Sequence, residues 1–139
     1  MTIMTLLPEE HTMPDTPPCW FTDSHEWFQE DGDLVTVGIT QYAVNELTDI
    51  TYVEMRPPGT VVQSGDVIGD VESVKAANDV FTAVGGEIVE VNDALSTDPS
   101  LLNSDPAGNG WIVKIRVDHP DPLHALMDRA TYDGKYPIA

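Results

Sequence analysis

The chain has 139 residues, with 24 Asp and Glu against 6 Lys and Arg and a formal net charge of −18 at pH 7. So little positive charge cannot neutralise a run of phosphates, which argues against nucleic acid and anionic membrane surfaces as partners and favours basic or neutral ones. One cysteine, Cys19, allows neither an intrachain disulfide nor a cysteine-cluster metal site, and a chain of this length folds as one domain without such staples.

No Lys or Arg precedes Arg56, so the first 55 residues are uniformly acidic. That face either serves solubility or steers the protein toward basic partners. The opening Met1 to Leu7 has no positive n-region and too short an apolar stretch for a signal peptide, and the acidity that follows is the reverse of a transit peptide. No apolar run approaches the roughly 20 residues of a membrane span. The expectation is a cytoplasmic protein with a flexible acidic extension over residues 1–18, a single domain over 19–130 and a C-terminal tail over 131–139.

From Leu34 the pattern is that of short strands. Leu34-Val-Thr-Val-Gly-Ile39 follows the turn residues Asp31-Gly32-Asp33, and Thr40 then caps one or two helical turns from Gln41 to Leu47. Ile50 to Met55 is β-branched and aromatic and is stopped by Pro57-Pro58-Gly59. Further strands are predicted at Thr60–Val62, Val67–Val74, Val80–Val84, Glu87–Val91 and Trp111–Val117, the last with Trp111, Val113, Ile115 and Val117 on one face and Ile112, Lys114 and Arg116 on the other. Two short helices are predicted at Asp98–Asn103 and Asp121–Arg129, each with Asp before a proline at the first helical position. Residues Asn103–Gly110 form a loop. Many short strands with frequent turns indicate a sandwich or barrel.

Two valine-rich strands meet around Lys75, with Gly65 ten residues before it and Gly85 ten after. The spacing suggests two related β-units joined by a hairpin whose tip is Lys75, flanked by the small residues Ser73, Ala76 and Ala77. Lys114 lies in a strand and Lys135 in the tail, so Lys75 alone among the three lysines has turn geometry around it. Spacing leaves two readings: an exposed lysine that keeps a hairpin tip soluble, or an amine presented to a second protein that acts on it.

Several sequence blocks bear on that choice. Glu72-Ser73-Val74-Lys75-Ala76, then Gly85-Gly-Glu-Ile-Val-Glu-Val-Asn-Asp-Ala-Leu95, Leu101-Leu-Asn-Ser-Asp-Pro106 and Gly110-Trp-Ile-Val-Lys-Ile115 resemble the H proteins of the glycine cleavage system. Upstream, Ser24-His25-Glu26-Trp27 and Thr36-Val-Gly-Ile-Thr-Gln-Tyr-Ala43 match the same family in order and spacing. The resemblance covers about Phe21 to Arg129. It implies a mainly β fold, a flattened β-barrel or barrel-sandwich hybrid of lipoyl-carrier type with a few short helices, and lipoate amide-linked to Lys75. Biotin carriers place Met on both sides of their lysine and 2-oxoacid dehydrogenase lipoyl domains show Asp-Lys-Ala, whereas Val74 and Ala76 flank Lys75 here. The chain departs from the commonest pattern at Ala107, where an aromatic often follows the proline, and at Gly85-Gly86, where a single glycine is frequent; neither touches Lys75.

In that family the lipoyl arm takes an aminomethyl group from glycine decarboxylase (the P protein) and delivers it to the aminomethyltransferase (the T protein). Dihydrolipoyl dehydrogenase (the L protein) then reoxidises the arm. The carrier itself is no enzyme: the reactivity belongs to the cofactor and the protein supplies position and docking. The resemblance assigns Glu72, Ser73, Val74 and Ala76 to the hairpin read by lipoate-attaching enzymes. It assigns Ser24, Glu26 and Asp79 to a cleft where the loaded arm folds back, with the Glu26 carboxylate pairing the arm's amine.

His11, His25, His119 and His124 show no metal-ligand spacing, and Asp31-Gly32-Asp33 has too few spaced oxygens for a calcium loop. A Schiff-base lysine enzyme would need a desolvated pocket, which an Ala-flanked tip does not offer. The remaining alternative is an H-like relay protein that donates lipoate to other lipoyl-dependent enzymes.

Overall fold

The computed structural model describes residues 18–138. Strand β1 (Cys19–Phe21) pairs antiparallel with β2 (Glu26–Asp31), which turns back into β3 (Leu34–Ile39). Gly32 opens that two-residue turn at φ +63°, a conformation that glycine reaches without the cost of a Cβ. Helix α1 (Gln41–Leu47) starts where the Thr40 hydroxyl accepts the Ala43 N–H, and it buries Val44 and Leu47.

Five strands follow: β4 (Ile50–Met55), β5 (Val61–Val62), β6 (Val67–Ser73), β7 (Ala77–Phe81) and β8 (Gly86–Val91). Short helices α2 (Ala94–Thr97) and α3 (Leu101–Ser104) lead to β9 (Val113–Val117), a 3-10 turn at Asp121–Ala125 and helix α4 (Arg129–Lys135). The described strands form two sheets, one ordered β1-β2-β3-β9-β8-β5 and the other β4-β6-β7. Their inner faces share one core that includes Phe28, Val35, Val37, Val53, Ile68, Val71, Val80, Ile88 and Ile115. Each such side chain contributes roughly 1.5–3 kcal/mol on leaving water. The expected mainly β barrel-sandwich with short helices is the architecture found.

The differences from the sequence reading have local causes. Strands β1 and β2 had no assignment, because Gln29-Glu30-Asp31 is poor in β-formers and tertiary pairing to β3 overrides that composition. The strand expected at Val80–Val84 runs instead over Ala77–Phe81. The Thr82 hydroxyl donates to the Val84 carbonyl at 2.7 Å and accepts the Val84 N–H at 3.1 Å, which bends the chain out of the ladder. The strand expected from Trp111 begins at Val113, and Ile112, expected on the same face as Lys114 and Arg116, is fully buried just before β9, where its N–H bonds the Val37 carbonyl.

Asp98 is no N-cap; it C-caps α2, its N–H bonding the Ala94 carbonyl, and α3 begins after Ser100. The helix expected over Asp121–Arg129 is a 3-10 turn that ends at Ala125, and Asp128 caps a separate α4 through the Thr131 N–H at 2.8 Å. Lys135 therefore closes a helix that crosses the expected start of the tail. The extension over residues 1–17, with His11, lies outside the described residues.

Candidate functional site

Strands β6 and β7 form a hairpin whose tip is Val74-Lys75. Glu72 pairs with Ala77, and the Ser73 N–H bonds the Ala76 carbonyl at 2.8 Å. The Ser73 hydroxyl accepts the N–H groups of Lys75 at 3.1 Å and Ala76 at 3.0 Å and sits 3.2 Å from the Ala76 carbonyl. One serine therefore clamps the turn, and neither Val74 nor Lys75 needs a positive φ. The tip rests on the end of α1: the Val74 N–H donates to Asp49 O at 3.0 Å and Lys75 Nζ to Glu46 O at 3.3 Å. Carbonyls of a last helical turn have no intrahelical partner, so a cation is welcome there.

Lys75 differs from the other two lysines. Lys114 pairs with Glu90 at 3.9 Å and lies over the Trp111 ring, and Lys135 pairs with Asp23 at 2.7 Å. Lys75 has no carboxylate partner among the described residues and is exposed beside Val74, which is 69% exposed. Ala76 and Ala77 leave its stem unobstructed.

Alongside β7 runs an open cleft of about 410 Å³, lined by Ser24, Asp70, Ala77, Asn78, Asp79 and Phe81. Of the three cleft candidates, Ser24 and Asp79 thus share its walls. Glu26 lies beneath them, only 2% exposed. Its Oε1 accepts hydrogen bonds from Thr22 Oγ1 at 2.5 Å and Ser24 Oγ at 2.6 Å, and its Oε2 accepts the Phe81 N–H at 3.1 Å. A buried carboxylate held by three donors fixes the serine and ties the end of β7 to the other sheet. Glu72 is exposed, opposite Tyr52 on β4 and Ala77 on β7, and does not line this cleft.

Asp70 has no role in the sequence reading. It is a polar residue in an apolar strand, and its register opposite Asp79 is set by the hairpin. Cys19 is partly buried, and that burial pushes its thiol up, away from reactivity.

The floor of the cleft is held from behind by α4. His25, between Ser24 and Glu26, adopts φ +74°, and its Nδ1 lies 2.7 Å from the Tyr132 hydroxyl, which lies 2.7 Å from Thr40 Oγ1. The His25 ring packs against Tyr42 and Tyr136, each with centroids 4.6 Å apart, and Asp23 receives hydrogen bonds from Lys135 Nζ and the Tyr136 hydroxyl. Those two donors hold the Asp23 carboxyl below its ordinary range, and burial pulls the His25 imidazole down. Sequence spacing had no means of joining positions 25 and 132.

The described residues contain no helix long and apolar enough to cross a membrane and no group of three or more metal-ligating side chains. The sequence model of the family described as glycine cleavage H-protein matches residues 19–136. The glycine cleavage system H protein of Phenylobacterium zucineum is 49% identical over 114 residues, which covers 82% of this chain and 94% of that protein. That of Methylacidiphilum infernorum is 48% identical over 112 residues, covering 81% and 88% respectively. The crystal structure of a glycine cleavage system H protein from Mycobacterium marinum superposes with a TM-score of 0.78 at 33% identity, over 87% of this chain and 98% of that one. By sequence, by coverage and by fold, this chain belongs to the glycine cleavage H-protein family.

Proposed function

We propose that this chain is the lipoyl carrier of a glycine cleavage system in the cytoplasm, with lipoate amide-linked to Lys75. It would serve glycine decarboxylase, the aminomethyltransferase and dihydrolipoyl dehydrogenase in turn, after a lipoate-attaching enzyme has loaded it. The observation that carries this reading is Lys75 itself: an exposed amine at a clamped hairpin tip, with no carboxylate partner among the described residues, in a member of the H-protein family.

The residues present fit such a group. Ser73 holds the tip in one shape for an attaching enzyme to read, with Glu72, Val74 and Ala76 around it. Acylation removes the ammonium charge of Lys75 and keeps its flexible stem as part of the arm. When bound, lipoate supplies the disulfide that takes up an aminomethyl group and the dithiol that is later reoxidised. Tethering raises the local concentration of the carried group at each docked enzyme. Between dockings, the cleft of Ser24 and Asp79, floored by Glu26, offers the arm a sheltered side of β7.

The test is intact mass and peptide mapping of protein from its native host, then reconstitution with the two transfer enzymes. Lipoylation at Lys75, with glycine cleavage that is lost in Lys75→Arg, is the expected result. An unmodified Lys75 in lipoate-replete cells overturns the carrier reading. Lipoylated protein that donates lipoate to other enzymes but supports no glycine cleavage points to the relay role.

A further inference from the structure

Val74 and Lys75 project past the three-stranded sheet, because the pairing of β4 with β6 ends at Ile50 and Ser73. Among the described residues, two hydrogen bonds tie this tip to groups outside its own hairpin: the Val74 N–H to the Asp49 carbonyl at 3.0 Å and Lys75 Nζ to the Glu46 carbonyl at 3.3 Å. Ser73 fixes the shape of the turn, whereas these two bonds hold the turn against the end of α1. Both acceptors belong to the stretch in which α1 ends and the chain bends into β4.

That stretch contains an unfavourable backbone. Thr48 stands at φ +62° and ψ −136°, and among the described residues only Thr48 and His25 are non-glycine residues at positive φ. A β-branched side chain is strained there, just past a helix end where glycine is the usual residue. Such a conformation persists only where its surroundings over-determine it. Here one side chain does so. Asn103 Nδ2 donates to the Thr48 carbonyl at 2.8 Å and Asn103 Oδ1 accepts the Ile50 N–H at 3.0 Å, so a single amide grips the backbone on both sides of Asp49. Only an amide side chain carries a donor and an acceptor on one carbon. Asn103 is itself anchored, next to the fully buried Leu102 on α3.

We infer that Asn103 is a positioning residue for the modification of Lys75: it locks the corner Thr48–Ile50, so that the carbonyls of Glu46 and Asp49 hold the hairpin tip in one place for the enzyme that acylates the amine. The inference rests on the carrier reading of Lys75. Asn103 forms no hydrogen bond with the tip and acts through the backbone of Asp49. Without its grip Thr48 relaxes toward negative φ, which turns the Asp49 carbonyl away from the Val74 N–H and frees the tip to wander. An acyl transfer to an amine needs that amine at a fixed place relative to the docked surface, and a displacement of an ångström or so is enough to slow it.

The test uses the full chain before lipoylation and reads two quantities: hydrogen exchange of the Val74 and Ile115 amides by NMR, and kcat/KM for lipoylation of Lys75 by a lipoate-attaching enzyme. In Asn103→Ala, Val74 exchange should quicken and lipoylation should slow, each about fivefold, the scale of one hydrogen bond, while the core amide of Ile115 is unchanged. Ser104→Ala is the control: its hydroxyl lies 3.3 Å from the Leu101 carbonyl on the same helix and touches nothing at the corner, so both readouts should stay at wild type. Adding Thr48→Gly to Asn103→Ala should recover most of both losses, because glycine holds a positive φ without a clamp. Asn103→Asp keeps the acceptor for Ile50 and loses the donor to Thr48, and it carries the test if the alanine variant does not fold. Wild-type Val74 exchange or lipoylation in the Asn103 variants overturns the assignment. So does equal quickening of Ile115, which marks a plain loss of stability, or a double variant no better than Asn103→Ala. Wild type that is not lipoylated removes the carrier reading, whereas a lipoylated wild type with an unaffected Asn103→Ala removes only Asn103.

Discussion

Replacing Tyr132 by Phe deletes one hydroxyl and keeps the ring stacked on Phe21, with centroids 4.8 Å apart. That hydroxyl sits 2.7 Å from His25 Nδ1 and 2.7 Å from Thr40 Oγ1, in a side chain only 3% exposed. Thr40 is itself buried and keeps one other contact, the Ala43 N–H at 3.3 Å, while His25 stands at φ +74° without its clamp. At about 1 kcal/mol net for each hydrogen bond, the variant should lose about 2 kcal/mol. For a domain of this size, at roughly 4 °C per kcal/mol, that lowers the melting temperature by about 8 °C. Urea and thermal unfolding of matched samples at pH 7.5 measure it. A loss below about 0.5 kcal/mol would mean that water replaces the hydroxyl and that α4 does not hold the Ser24–Glu26 segment in place.

Stability should also depend on pH through His25. Burial lowers its folded-state value against the smaller opposing pull of Glu26, Asp23 and Glu46, so its contribution is complete above the ordinary imidazole value near 6.5 and is lost as pH falls through the folded one. Urea midpoints between pH 7.5 and pH 5 should fall, and His25→Asn, which tolerates a positive φ, should flatten that slope. Ser73→Ala removes the acceptor for two tip N–H groups at an exposed turn, so lipoylation by an attaching enzyme should slow several-fold while the melting temperature moves little; equal lipoylation rates would count against the clamp. Gly86→Ala aims a Cβ into the Arg116 carbonyl oxygen and to 2.9 Å from Ile115 Cγ2, at the β8–β9 pairing, and should cost about 3 kcal/mol or leave no soluble protein. Transfer to the partner enzymes should slow as salt rises if the net charge of −18 serves docking; salt-independent transfer would leave the acidity as a solubility feature.

What could be read along the chain was whatever depends on short stretches. The tip at Lys75 is local turn chemistry, since Ser73 bonds backbone groups two and three residues on, and the blocks around it are contiguous enough to carry a family resemblance. The β3, β4, β6, β8 and β9 strands announce themselves because their apolar residues serve a single shared core. The residues around the cleft are different in kind. That Asp70 faces Asp79 follows from strand register, that Glu26 lies under Ser24 with both oxygens engaged follows from the contact between two sheets, and that Tyr132 holds His25 follows from packing across 107 positions. Sequence alone marked the lysine at the hairpin tip, whereas only the tertiary structure decided which carboxylates share the cleft beside it. Burial and pairing register are properties of the assembled sheets and leave no mark on spacing.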